Sequence, residues 1–225
     1  MKRFSAFLAM GVVMTLASNA SALVFVGTRA GINANDSIGW QANYGNEFNN
    51  VANPSLGLTA LSTVFQVSGQ GANTGLSRLN EGSGWNGIFD RGNDLLFMNQ
   101  STVGNALSIR FAVTQYAVGM RVQENFFGVY DATIAAYDGL GLFLGAFTVQ
   151  GNNTGGSTGT APFLGVESNQ PNIGRIDIYS NLVNGGTAGT SVDMVSLRNC
   201  AVPEPGTIAA LGLGAIALIR RRRSA

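Results

Sequence analysis

Histidine is absent from the 225 residues, lysine occurs once, at Lys2, and cysteine once, at Cys200. Without histidine there is no Ser-His-Asp or Cys-His catalytic apparatus and no histidine-ligated zinc, which removes most hydrolase chemistry. A single cysteine forms no intramolecular disulfide, so stability must come from packing. Cys200 itself admits two readings: a thiol for intermolecular pairing or attachment, or a small hydrophobe ending the last strand. Charge is scarce as well. Between Leu23 and Pro205 seven arginines stand against twelve carboxylates, a charge of −5, although the whole chain carries +1. The two ends make the difference, because they hold the only lysine and the other five arginines. A mildly acidic body without lysine argues against nucleic acid, whose binding needs clustered phosphate-neutralising cations. Nor does the body contain a helix-period segment of useful length or an internal repeat.

What it does contain is alternation, with Gly, Asn, Ser and Thr punctuating short apolar runs, an all-β pattern. Residues 107–114 are the clearest case, with Leu107, Ile109, Phe111 and Val113 on one face and Ser108, Arg110, Ala112 and Thr114 on the other. Further strands are predicted over residues 23–26, 63–67, 95–99, 118–122, 132–137, 142–149, 163–166, 175–179 and 192–197. Asp138-Gly139-Leu140-Gly141 joins two of them as a hairpin whose glycines supply positive φ. Residues 23–104 are looser, and polar, glycine-rich stretches such as 43–50 and 82–87 read as long loops over the sheets. The glycine- and threonine-rich run 151–160 reads as a mobile loop. About 175 residues suffice for one domain with a real core. The expected fold is an all-β, two-sheet β-sandwich, jelly-roll-like, flanked by an N-terminal signal helix and a short C-terminal transmembrane helix.

Both ends read as targeting segments. Lys2-Arg3, the apolar run 4–16 and Ala20-Ser21-Ala22 form a secretory signal with an A-x-A site, so signal peptidase is expected to cut before Leu23; a retained anchor is the alternative. At the other end, Val202-Pro203-Glu204-Pro205-Gly206 breaks any helix. The uncharged run 207–219 follows, about 20 Å long as a helix against a hydrocarbon core of about 30 Å. Arg220, Arg221, Arg222 and Arg223 close it and belong on the cytoplasmic side of the inner membrane. A core helix with a solvated basic end fits less well, because the run is apolar all round.

This order of turn, apolar segment and arginine cluster resembles the PEP-CTERM sorting signal, matched by Val202 to Pro205 letter for letter. The same tail is also called the C-terminal domain of ice-binding proteins. The resemblance implies recognition by exosortase, removal of the tail around Pro-Glu-Pro, and a surface or exopolysaccharide-matrix destination. It divides the chain into a signal peptide (1–22), a passenger (23–200) and a sorting signal (201–225). The passenger is fainter: segments such as 92–97, 118–122 and 193–197 are similar to jelly-roll passengers found with this tail, which resemble carbohydrate-binding modules in architecture.

Within the passenger, Trp40, Tyr44, Trp85 and Phe89, with Asn43, Asn86 and Arg91, are candidates for a glycan platform, the alternative being core aromatics. Asp193 shares parity with Val195 and Leu197 on the predicted last strand, so it points inward and must be paired or ligate a metal. It is a candidate ligand for structural Ca²⁺, an ion held by hard oxygen donors; pairing with an arginine or with loop N–H groups is the other reading. Paired carboxylates for glycoside hydrolysis would come from Asp131 and Asp138, Asp90 and Asp94, or Glu124, each with a plain structural role as a turn, cap or loop residue. The scattered threonines form no flat periodic array of the kind ice binding needs. The expected function is therefore a non-catalytic exported cell-surface or matrix protein binding glycan or surface partners. A polysaccharide-active enzyme using paired carboxylates is the alternative.

Overall fold

A computed structural model describes residues 22–199 except 72, 102–103 and 186–187. The signal segment with Ala20, Cys200, the Pro-Glu-Pro motif, the apolar run and the arginine cluster lie outside the described residues; Ala22 is the first of them. In chain order the strands are β1 (Leu23–Val26), β2 (Asp36–Ile38), β3 (Asn50–Val51), β4 (Ser55–Leu58), β5 (Val64–Gly69), β6 (Leu76–Asn80), β7 (Asp94–Ser101) and β8 (Leu107–Gln115). They continue with β9 (Ala117–Glu124), β10 (Gly128–Asp138), β11 (Phe143–Asn153), β12 (Phe163–Ser168), β13 (Ile173–Leu182), β14 (Ala188–Val192) and β15 (Val195–Arg198). A five-residue helix, α1 (Trp40–Tyr44), precedes β3. Among the described residues no helix is long and apolar enough to cross a membrane.

The strands form two antiparallel sheets. One contains six strands in the order β11-β10-β13-β8-β5-β4; the other contains nine, with β1-β12-β9-β14-β7-β6-β3 as its main path and β15 and β2 branching beside β9. Alternation decides which side of each strand meets the other sheet. On β8, Leu107, Ile109 and Phe111 are buried and Arg110 and Ala112 are exposed, as the sequence predicts; Val113, at the strand's end, is 51% exposed. Leu107, Ile109, Ile134 and Ile178 from the six-stranded sheet meet Leu96, Met98, Val118 and Met120 from the nine-stranded one in a single core. Each such side chain contributes about 1.5–3 kcal/mol by leaving water.

The opposite face of the nine-stranded sheet carries a smaller core. On β7, Leu96 and Met98 enter the main core, so Leu95 and Phe97 point the other way, and they pack there with Leu79, Trp85, Ile88, Phe89 and Ala161. The 81–93 loop covers this cluster, as the sequence suggests for its polar, aromatic-dotted stretch. The 151–160 run departs from expectation. Its first three residues belong to β11, and the rest is tied to that loop by Ser157 N donating to Gly87 O at 2.8 Å and Gly159 N to Phe89 O at 3.2 Å. Residues 23–104 also hold more order than expected: β2, β3, β4 and β6 are short and polar, and each owes its conformation to a distant or flanking partner strand.

The predicted hairpin is present as β10 and β11. Asp138 N donates to Leu142 O at 2.8 Å, Asp138 Oδ1 accepts from the Leu140 and Leu142 N–H groups, and Gly141 has φ +89°. Its tip is pressed on β13, where a Cβ on Gly174 would lie 2.5 Å from Gly139 Cα and 2.7 Å from Gly139 N. Because backbone cannot rotate away as a side chain can, Gly174→Ala is expected to cost about 1–3 kcal/mol of stability, read by urea denaturation.

Candidate functional site

The structure divides the sequence-predicted aromatics between the two cores. Trp40 is fully buried in the main core, stacked with Tyr44 at 6.3 Å and edge-on to Phe65 at 6.2 Å. Trp85 and Phe89 lie in the smaller core, with Trp85 tilted on Phe97 at 5.2 Å. Asn43 is engaged by Gly39 and Leu58, and Arg91 and Asn86 are exposed on the covering loop. No common platform of Trp40, Tyr44, Trp85 and Arg91 results. Burial in the core, the other reading the sequence offers for these rings, is what holds for Trp40, Trp85 and Phe89, and the strands that bury them are distant in the chain.

Asp193 is buried, as parity suggests, but for a different reason. The predicted strand 192–197 is broken at Asp193 and Met194, between β14, which pairs with β7, and β15, which pairs with β2. At the break, Arg121 N donates to Asp193 Oδ1 at 2.8 Å, in place of a ladder carbonyl, and the freed Asp193 carbonyl accepts from Trp40 Nε1 at 2.9 Å. Arg29 Nη2 donates to the other carboxylate oxygen at 2.6 Å. Burial pushes the Asp193 carboxyl up, against the pull of Arg29 and the Arg121 N–H. The carboxylate is paired with an arginine and accepts from the Arg121 N–H on β9; among the described residues no three His, Cys, Asp or Glu side chains cluster.

The other candidate acids also have protein partners. Asp94 binds Arg78 Nε at 2.8 Å and accepts from Gln41 N, capping α1 from β7. Asp90 pairs with Arg121, Asp131 accepts from Gln150 at 3.3 Å, and Asp138 shapes its turn. Glu124 is fully buried and pushed up to about 7 by desolvation. A cleft of about 490 Å³ lies over Arg29, Asp90, Arg121, Asp193 and Met194. Its two arginines are already matched to two of its acids.

A different surface lines up aromatic, guanidinium and amide side chains. The register of the six-stranded sheet aligns Phe143, Tyr137, Arg175, Arg110, Gln66 and Leu56 across all six strands, each the direct partner of the next. Since Ile109, Phe65 and Ile176 beside them are core residues, this row lies on the outer face. Arg175 stacks on the Tyr137 ring with Cζ 3.8 Å from its centroid, and Tyr137 meets Phe143 edge-on at 5.6 Å. Next to the row, Ser108, Asp177 and Ala135 are also direct partners and point the same way, yet each is no more than 6% exposed. Neighbouring longer side chains cover them: Asp177 lies against Arg175 and Gln70. At one end a hollow of about 230 Å³ is lined by Leu56, Val64, Gln66, Arg110 and Ala112. Phe143, 62% exposed, stands at the other.

Sequence reasoning had part of this face within reach. The hairpin turn puts Tyr137 opposite the start of β11, where the observed register makes Phe143 and not Leu142 its partner, and the alternation of β8 turns Arg110 outward. That Arg175 stands beside both depends on the β13 register, which no local signal reveals.

Residues 201–223 match the PEP-CTERM protein-sorting motif. The motif is the exosortase recognition signal and marks an exported, sorted protein that is transiently anchored in the membrane. Among curated proteins none matches the sequence. Of solved structures, a DUF4465 family protein from Bacteroides caccae ATCC 43185 is similar at 11% identity and a TM-score of 0.40, over 79% of this chain and 100% of that one. The enzymatically active domain of bacteriophage CBA120 tailspike protein 4 is similar at 16% identity and a TM-score of 0.31, over 59% of this chain and 19% of that one. The CBM22-1-GH10 modules of Clostridium thermocellum endo-1,4-beta-D-xylanase 10B, complexed with xylohexaose, are similar at 11% identity and a TM-score of 0.36, over 59% and 26%. At these scores none of the three extends a function to this chain.

Proposed function

We propose that the chain is a non-catalytic protein of the cell surface or extracellular matrix, exported through its signal peptide, processed by exosortase, and binding glycan through its jelly-roll-like passenger. The observation that carries the binding reading is the row from Phe143 to Leu56 on the outer face of the six-stranded sheet. It offers what sugars need: an exposed ring for the apolar face of a pyranose, with guanidinium and amide groups for its hydroxyls. The non-catalytic reading is supported by the engagement of Asp90, Asp94, Asp131, Asp138 and Glu124 with protein partners. Glu124, with the raised pKa a general acid needs, is sealed from any substrate.

Export and processing are tested in a host carrying exosortase. The wild-type chain is expected to lose the residues after the Pro-Glu-Pro motif, and the variant with Pro203, Glu204 and Pro205 all replaced by alanine to keep its tail and stay with the inner membrane, as read by intact mass and fractionation. Binding is tested with the full chain in mild detergent on a polysaccharide array, with and without a calcium chelator. Release of reducing ends during incubation would support the enzyme alternative.

A further inference from the structure

The acidic passenger leaves few positive charges unspent. Of its seven arginines, Arg29, Arg78, Arg121, Arg175 and Arg198 each form an ion pair with a carboxylate. Among the described residues, Arg91 and Arg110 form none. Arg91 lies on the exposed 81–93 loop, whereas Arg110 stands in the middle of the outer row, directly opposite Arg175 on the neighbouring strand. Like charges at directly opposed positions on one face repel and disfavour strand pairing. Arg175 is partly compensated by Tyr137 beneath it and by Asp177 Oδ1, 3.2 Å from Nε, although that nitrogen makes no hydrogen bond. Arg110 has no such relief. An anion placed between the two would remove the repulsion and could accept from both guanidinium groups.

The surroundings narrow what kind of anion fits. On one side of the arginine pair are Tyr137 and Phe143, and on the other the hollow formed by Leu56, Val64, Gln66 and Ala112. These surfaces call for a carboxylate carried on a ring with an apolar face, flanked by further such rings. The row crosses strands spaced about 4.8 Å apart, a step close to the repeat of one sugar in an extended polysaccharide. A chain could therefore lie along it with successive rings at successive strands. Phosphate itself fits less well, because it brings no apolar ring face for Phe143 or for the hollow.

We propose that this row binds an acidic, uronate-bearing polysaccharide, with one uronate carboxylate held between Arg110 and Arg175, a neighbouring ring on Phe143, and another in the hollow beside Gln66. The assignment rests on the reading of this face as a glycan site and adds the chemical class of the ligand.

The test uses the full chain in mild detergent. The probes are oligomers of polygalacturonate, alginate and polyglucuronate, each beside its carboxyl-reduced neutral counterpart, with affinity read by calorimetry. At least one uronate is expected to bind, its neutral counterpart to bind far more weakly, and rising salt to weaken the complex. Arg110→Ala is expected to lower affinity roughly ten- to hundredfold, the factor for one charge-assisted hydrogen bond, with no loss of thermal midpoint, since Arg110 has no internal partner to lose. Equal affinity for acidic and neutral forms, or uronate binding unchanged by Arg110→Ala, would overturn the acidic assignment and leave glycan binding standing. Absence of binding to every polysaccharide, acidic or neutral, would overturn both.

Discussion

Moving the protein from pH 5 to pH 9 is expected to lower its unfolding free energy by about 2–3 kcal/mol through Glu124 alone, and Glu124→Gln to abolish that part of the loss. Glu124 is fully buried where β9 ends, at a polar point between the sheets. Ser180 Oγ donates to one of its oxygens at 2.8 Å and Asn125 N to the other at 2.8 Å. The Ser180 hydroxyl also meets Thr190 Oγ1 at 2.6 Å, which donates to Ser101 Oγ at 2.6 Å. These contacts favour the ionised form, but loss of hydration opposes them more strongly and raises the carboxyl from 4.5 to about 7. A raised pKa means that the folded state holds its proton more tightly than the unfolded chain. The stabilisation is complete below the unfolded value of 4.5 and disappears as pH climbs through about 7. Glutamine resembles the protonated acid in shape, keeping one carbonyl acceptor and placing an N–H donor group where the acid has its O–H, and the Ser180, Thr190 and Ser101 hydroxyls can rotate to meet it. Urea denaturation of both proteins at several pH values between 5 and 9 measures the effect. Parallel pH profiles for wild type and Glu124→Gln would show that Glu124 does not ionise in this range. A slope of the same sign is expected to remain in the variant, since burial raises Asp193 as well.

The sequence shows most of what is local in this fold and little of what depends on register. Alternation in residues 107–114 places Ile109 and Arg110 on opposite faces without any knowledge of their neighbours. Asp138 and Gly141 announce a hairpin because the turn needs a side-chain acceptor and a positive φ at those positions. By contrast, β3 and β6 are short and polar, and Asn50–Val51 is extended only because Ser77 and Leu76 stand opposite. The aromatics show the same limit. Trp40 and Phe143 both stand near glycines in the sequence, yet Trp40 is enclosed by Phe65 and by the break at Asp193, and Phe143 is left in solvent at a hairpin. Which of the two could touch a ligand is decided by strands far away in the chain. The Arg110–Arg175 pair shows this most clearly, because each arginine reads as an ordinary solvated residue until the β8–β13 pairing sets them side by side.

Removal of the Arg29 side chain is the other change expected to weaken the protein severely. Arg29 lies between β1 and β2, and through it the start of the chain is fastened to the β14–β15 break. It donates to Asp193 Oδ2 at 2.6 Å, to Ser196 Oγ at 2.6 Å and to the Met194 carbonyl at 2.8 Å. Arg29→Ala would leave the Asp193 carboxylate, with a side chain 5% exposed, facing only the Arg121 N–H. Stripping one partner from a buried pair costs about 3–5 kcal/mol. The lower end applies here, because a third of the Arg29 side chain is in water. The carboxyl, already raised by burial, would rise further and take up a proton, so the loss is expected to be larger at pH 8 than at pH 5. Asp193→Asn is expected to cost less: its carbonyl still accepts from Arg121 N, and Arg29 stays tied to Met194 and Ser196. The double variant Arg29→Ala/Asp193→Asn should then be more stable at pH 8 than Arg29→Ala alone, since no charge is left buried. Equal losses for Arg29→Ala at both pH values would mean that lost packing, and not the stranded carboxylate, is responsible. Calcium provides the contrasting case. If a bound ion neutralised Asp193, a chelator would destabilise both the wild-type protein and Arg29→Ala. If Arg29 does so, the chelator leaves both midpoints where they were.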